Sequence, residues 1–345
     1  MSNRIYYAVQ AVGIKRPTDL AGNYSSSTLA KVQGLQSVGM NTNFNLEPVY
    51  QLGQIQLYDN YEEIPEVEVT LNKVLDGTPT LYSLAMTPAS ADGTASSLSS
   101  LANTKCGFVL KLYPDTDSAA TGTPTASVEC SPAYLSSVSY TFPTEGNFTE
   151  EVTLVSNDKT WSTTTGALAP LNTVNVTDTP PNRGILRRGL WSNNSVLPTG
   201  DDSNGLLSSV SGGIAQGVKI SSVKVSMNLG REQIRTLGQR TPYYRYIKFP
   251  VEVTTEIEVT ATENGDAVGV SQGTGDCSNP KALTNKEIII QLCDGTVIDL
   301  GKKNKLTTVN YTGGDTGGGN ATITYSYQTF SEFTYTGPTG VAINT

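Results

Sequence analysis

The segment SVGMNTNFNLEPVYQLGQ at residues 37–54 returns without a gap as SVKVSMNLGREQIRTLGQ at residues 222–239, an offset of 185. Ser, Val, Asn, Glu, Leu, Gly and Gln recur at corresponding positions. A chain that carries so long a segment twice must fold it twice in the same way, which divides the 345 residues into two similar units. The same offset aligns Tyr58 with Tyr243, Tyr61 with Tyr246 and Pro65 with Pro250. Further on, LSSVSYT at 135–141 corresponds to LTTVNYT at 306–312, and Asn147 and Thr149 correspond, two residues out of register, to Asn320 and Thr322. Chance likeness between Ser/Thr-rich strands explains one such match, but not several in the same order.

Two units also suit the length, since domains of ordinary size hold about 100–150 residues. The repeats place the first unit at 1–160 and the second at 216–345, with a linker or extended arm over 161–215. The arm holds several prolines and both tryptophans, Trp161 and Trp191. Its stretch GILRRGLW, residues 184–191, is too apolar for a free tether and is expected to pack on something. Arg187, Arg188 and Trp191 are its candidate contacts with an adjacent subunit; the alternative is an intrachain loop lying across both units.

Most periodic segments alternate with period two, among them FVLKLY, SSVSYTF, FTEEVTLV, KISSVKVSMN, EIIIQLC and ATITYSYQ. They are rich in Val, Ile, Thr and Tyr and bounded by Gly, Asn, Asp and Pro, the pattern of strands with one wet face. Helical signal is confined to TPTLYSLAM near residue 82 and PKALTNKE near residue 283. The expected fold is mainly β, two tandem sandwich or barrel units with about one short helix each. The glycine-rich GGDTGGGN at 313–320 joins two such strands and lacks a following GK[ST], so a hairpin link is expected rather than a phosphate loop.

Little in the composition points to chemistry. Histidine is absent, which removes Ser/His/Asp and Cys/His catalysis and His-based zinc sites. Cys106, Cys130, Cys277 and Cys293 show no CxxC spacing; buried thiols are expected, with a Cys277–Cys293 disulfide left open. No paired carboxylates stand out, so neither an enzyme nor a cofactor is expected. The net charge of −8 argues against gripping nucleic acid, though not against a surface that DNA passes without sticking. No apolar run approaches the ~18 residues of a membrane span, and the start, MSNRIYYAVQAVGIKRPTD, lacks a long apolar run, which gives synthesis in the cytosol as the expectation. Only 16% of residues are charged, which suits either an extracellular β-protein or a subunit largely covered by neighbours.

The two copies differ most in charge. Residues 46–63 contain Glu47, Asp59, Glu62 and Glu63 and no cation, whereas the aligned window 231–248 contains Arg231, Arg235, Arg240, Arg245 and Lys248 against Glu232. Such opposite signs would make each copy prefer the other type as its neighbour. The alternative is a pair of solvated loops whose charges drifted apart. If the first reading holds, reversing Arg235 and Arg240 impairs assembly more than folding.

YLSSVSYTFPTEGNFTEEVTLVSND at 134–158 and GQIQLYDNYEEIPEVEVTLNKVLDG at 53–77 resemble strand pairs of the tail tube proteins of long-tailed bacteriophages. That resemblance implies a small β-sandwich or barrel with a flanking helix, six of which form a ring, the rings stacking into a hollow tube for DNA. A tandem copy then implies homotrimeric, pseudo-hexameric rings of a virion structural protein that catalyses nothing, binds no cofactor or membrane, and meets sheath, baseplate and terminator proteins. The other readings are a two-domain adhesin or carbohydrate-binding protein, with Tyr243, Tyr244 and Tyr246 as its aromatic cluster, or a different tube-fold component such as a hub or terminator.

Overall fold

The structure, a computed structural model, describes residues 4–20, 22–88, 95–116, 119, 123–163, 185–187, 219–239, 242, 244–260, 287–314 and 319–338. It is mainly β. The first unit contains β1 (Gln10–Pro17), β2 (Tyr24–Lys31), β3 (Leu35–Asn43), β4 (Leu46–Tyr50), β5 (Leu57–Glu62), β6 (Glu66–Val74), the short helix α1 (Leu81–Met86), β7 (Ser96–Ser97), β8 (Cys106–Leu112), β9 (Ala126–Pro143), β10 (Thr149–Ser156) and β11 (Thr160–Ser162). The second contains β12 (Lys219–Asn228), β13 (Glu232–Ile234), β14 (Tyr244–Tyr246), β15 (Glu252–Thr260), β16 (Ile289–Gln291), β17 (Val297–Asp299), β18 (Lys305–Thr312), β19 (Thr322–Phe330) and β20 (Thr334–Thr336).

The main sheet runs β3-β6-β10-β9-β12-β15-β19-β18, and every pairing in it is antiparallel. Its first four strands and its last four have the same pairing order and matching registers. Val38 faces Leu71 as Val223 faces Ile257; Val152 faces Val138 as Tyr325 faces Val309. Even the irregularities recur. A bulge at Gln36 between β3 and β6 reappears at Ser221 between β12 and β15, and one at Ser136 in β9 reappears at Thr307 in β18. Because a bulge sets register and local twist, shared bulges mark a shared backbone path.

The opening pair of segments forms β3, β4 and the turn after β4 in the first unit, and β12, β13 and the turn after β13 in the second. Hairpin β4–β5 pairs Glu47 with Tyr61 and Val49 with Asp59; hairpin β13–β14 pairs Glu232 with Tyr246 and Ile234 with Tyr244, at the same offset of 185. In each, Gln54 or Gln239 donates its backbone N–H to Gln51 O or Thr236 O, 3.2 and 3.3 Å. Gly53 and Gly238 then sit at φ +88° and +84°, the left-handed corner of a type II turn, with open space where a side chain would be. Backbone conformation keeps these glycines. Leu52 and Leu237, beside them, stand wholly in solvent, so packing does not account for their recurrence.

Outside the main sheet the copies diverge. In the first unit, β9 is 18 residues long; its early part pairs with β8 and β11 and its later part with β10 and β12, while β1 joins β2 and β8. Helix α1 is held by its start. Thr80 Oγ accepts from Ser83 N, and the buried Glu150 carboxylate accepts from Leu81 N at 2.6 Å, Tyr82 N at 2.9 Å and Tyr140 Oη at 2.9 Å. All six helical residues are buried. The helix expected near residue 283 lies outside the described residues. In the second unit, β16, β17 and β20 form a small sheet whose fourth strand is β7 of the first, and Tyr82 packs edge-on against Phe333 at 5.2 Å.

The two units therefore share a sheet, a second small sheet and one continuous apolar core that runs from Val12 to Tyr335. GGDTGGGN does join two antiparallel strands, β18 and β19. Cys106 and Cys130 are buried, and burial pushes their thiols up to about 12 and about 11; Cys293 is exposed, contrary to the expectation of burial, and Cys277 lies outside the described residues. Of GILRRGLW, Leu186 is buried: its backbone bridges Leu75 O and Phe148 N, and its side chain joins the core.

Replacing Glu150 by Ala leaves three buried donors without an acceptor and lowers unfolding free energy by about 3 kcal/mol, measured by denaturant titration. Glu150→Gln keeps an acceptor oxygen and loses less; equal losses for both would contradict the capping role.

Candidate functional site: two sheet edges, a seam and a polar face

The seam between the units is the pairing of β9 with β12, from Ser222 opposite Pro143 to Asn228 opposite Ser137. Leu229 N extends it to Ser136 O at 2.8 Å, and Thr144 N extends it the other way to Ser221 O at 2.9 Å. This joint is head to tail. β12 is the second-unit counterpart of β3, and β9 is the first-unit counterpart of β18. The sheet thus ends in β3 on one side and β18 on the other, the same two strand types that meet in its middle, and no described residue pairs with their outer sides.

Exposure shows what the free edges lack. Tyr140 and Leu229, at the seam, are 1% and 0% exposed; their counterparts at the edges, Tyr311 and Phe44, are 60% and 62% exposed. Apolar side chains in one alternating row are covered inside the chain and uncovered at its ends.

A set of polar contacts from hairpin β13–β14 locks the seam. Arg231, just before β13, donates through Nε to Leu135 O at 2.7 Å and through an Nη to Ala102 O at 3.2 Å and Arg245 O at 3.3 Å, and it lies 5.5 Å above the Tyr134 ring. Burial lowers the guanidinium pKa to about 10, still well above neutrality, so the charge persists. Arg245, buried, reaches Glu66 at 3.0 Å and Asn157 at 2.9 Å; Arg235, exposed, reaches Glu63 at 3.3 Å. Tyr244 packs edge-on against Tyr134 at 5.7 Å and donates to Asn103 O.

The charge contrast expected from the sequence is thus used first within the chain. Arg231, Arg235 and Arg245 of the basic copy meet the first unit, and Glu63 and Glu66 answer two of them. Glu47 and Asp59 lie on the exposed hairpin β4–β5 with Glu62, and Lys248 is exposed on the second unit. Arg240 lies outside the described residues. Of the candidate arm contacts, Arg187 bonds Asn147 of its own chain at 2.8 Å, while Arg188 and Trp191 lie outside the described residues. Tyr244, offered as part of a ligand-binding aromatic cluster, is engaged by Tyr134 and Asn103, and Tyr243 is outside the described residues.

One surface was not singled out from the sequence. Alternation puts the core residues on one face of the main sheet and leaves the other wet. Successive cross-strand partners on that wet face are Ser37, Asn72, Glu151, Ser139, Ser226, Thr254 and Gln328 in one row, and Thr141, Lys224, Glu256, Ser326 and Thr308 in another. Glu68, Glu151, Glu252, Glu256 and Glu258 share the face with the cations Lys224 and Lys305, the latter opposite Gln328. It is a neutral-to-acidic hydroxyl and amide surface. The signal lay in the wet positions of TTEIEVT and EVEVTLN, which alternation identifies but only topology joins into one face.

No family model matches the chain, and no curated protein does. Among solved structures, the chain is similar to the anti-feeding prophage cap, a tube terminating cap, at 17% identity and a TM-score of 0.32, over 48% of this chain and 94% of that one.

Arg231→Ala removes three charge-assisted hydrogen bonds, two of them across the seam, and is expected to cost about 3 kcal/mol of stability. Arg235→Ala breaks an exposed ion pair and is expected to change stability by less than about 0.5 kcal/mol. Thermal or denaturant unfolding of the two variants checks the contrast, which similar losses would refute.

Proposed function

We propose that the chain is a structural subunit of a phage-tail tube, in which three copies join edge to edge into a ring of six repeats and the rings stack into a conduit for DNA. The observation that carries this reading is the head-to-tail seam. A heterologous joint between two like units leaves unlike ends, and the same joint repeated between chains generates a ring when its rotation closes. Exposed edge strands are templates for pairing with another chain, and here the template already has its partner type inside the molecule.

The polar face supports the second part of the reading. A wall of Ser, Thr, Asn and Glu, whose five glutamates outnumber the cations Lys224 and Lys305 among the described strand residues, offers phosphates little to grip, so DNA would slide along it rather than be held. The hairpin tips, with Leu52, Ile55 and Leu237 in solvent, suit contacts between stacked rings. In this reading the protein belongs to the virion, works by assembly rather than catalysis, requires no cofactor, and meets sheath, baseplate and terminator proteins at the tube ends and outer wall. The recurrence of tail-tube-like strand segments in both copies is the sequence support for it.

Negative-stain microscopy of purified protein is expected to show rings or hollow tubes. Phe44→Lys and Tyr311→Lys, at exposed edge positions, are expected to abolish them while leaving the unfolding transition in place; tubes formed by both variants would defeat the reading. Separately, tubes of the Glu68→Lys/Glu256→Lys variant are expected to retain double-stranded DNA in a salt-dependent way that wild-type tubes do not. Equal retention by both would remove the polar face from the lumen.

A further inference from the structure

The seam inside the chain specifies more than the existence of an edge contact. Each strand and side chain at β9–β12 has a counterpart at β18 and β3, so the internal joint can be transcribed onto the two free edges. We propose that β18 of one copy pairs antiparallel with β3 of a second copy in the register of that seam, placing Asn310 opposite Asn41 and Asp59 of the second copy against Lys305. The inference rests on the tube-subunit reading and adds the identity of the partner surfaces and their alignment.

The register follows from three alignments of the repeat. Ser226 faces Ser139, Val225 faces Tyr140 and Met227 faces Val138 in the seam. Their counterparts are Asn41 and Asn310, Met40 and Tyr311, and Thr42 and Val309. The bulges that bracket these strands, at Gln36 and Thr307, stand where Ser221 and Ser136 stand in the seam, so no shift intervenes. Leu229 N bonding Ser136 O places Phe44 beside Thr307. In this alignment the side chains exposed at the free edges, Phe44 and Tyr311, occupy the places that Leu229 and Tyr140 occupy in the core.

The side-chain lock transcribes into different chemistry. Tyr244 on Tyr134 becomes Asp59 on Lys305. Arg235 on Glu63 becomes Tyr50 on Lys248, a cation over an aromatic ring. Arg245 on Glu66 becomes Asn60 on Glu252, an amide donor on a carboxylate. Each exchange changes both partners and leaves them complementary, which is unexpected if the first hairpin and the second unit had drifted independently. The acidic hairpin β4–β5 and the lysines of the second unit are thus two halves of one contact, shared between copies.

Two measurements test this in the full chain, in a Cys277→Ser/Cys293→Ser background. Pairs Asn41→Cys/Asn310→Cys and Thr42→Cys/Val309→Cys cover both parities of the ladder, so at least one places its Cβ atoms within disulfide range; under mild oxidation it should yield covalent chain multiples on a non-reducing gel. The pair Asn41→Cys/Thr308→Cys, two residues out of register, should not. Asp59→Lys or Lys305→Asp alone should raise the concentration at which rings form by about tenfold, and the double exchange should restore it. Rings without in-register cross-links, or no rescue by the exchange, overturn this alignment and leave the tube reading standing. Neither rings nor cross-links under any condition overturns both.

Discussion

A β-strand at the end of a sheet carries backbone donors and acceptors that must find water or another strand, and everything distinctive in this protein follows from where that requirement is met and where it is not. At β9–β12 the chain meets it with itself. Two four-stranded units, each with an open edge, become one eight-stranded run, and the joint covers Tyr140 and Leu229. Closing one seam internally does not remove the problem; it moves it to β3 and β18, where Phe44 and Tyr311 lie uncovered. Since the joint is heterologous, those ends are complementary by construction.

Two like four-stranded units with different side chains in one chain allow, in the proposed assembly, what a single repeated unit cannot have, two chemically distinct seams. Inside the molecule the lock is cationic, with Arg231 reaching two carbonyls of the first unit and Arg245 reaching Glu66 and Asn157. A buried guanidinium is stable there because carbonyls, a carboxylate and an aromatic face surround it. The acidic hairpin has no such pocket within its own chain and stands in solvent. A permanent joint and an assembling joint are thereby built from the same backbone with different side chains.

Much of this was legible in the sequence. The repeat at an offset of 185, the shift of two residues at Asn147 and Asn320, and the period-two segments located nearly every strand of the main sheet, because backbone register and bulges are local properties that recur with the residues. The helix at Leu81–Met86 was legible from its apolar run after Thr80, but not its dependence on Glu150, since nothing local marks a carboxylate 69 residues away as a cap. Three things required topology. Alternation says that β9 and β12 each have a wet face, but not that they pair; a small sheet that borrows β7 depends on a contact between strands more than 200 residues apart; and the basic window gave its sign correctly while concealing that Arg231 and Arg245 are spent within the chain. In the LGQ turns the recurring glycines serve the turn conformation, whereas the leucines beside them stand in solvent.

The most direct test of the account is a cryo-EM reconstruction of the assembled protein at a resolution that traces strands. The account predicts threefold rings in which β18 of each chain lies beside β3 of the next, continuing the sheet through alternating internal and external seams with the Ser/Thr/Asn/Glu face toward the lumen. Rings of six chains, or a map in which β3 and β18 face solvent, would contradict it.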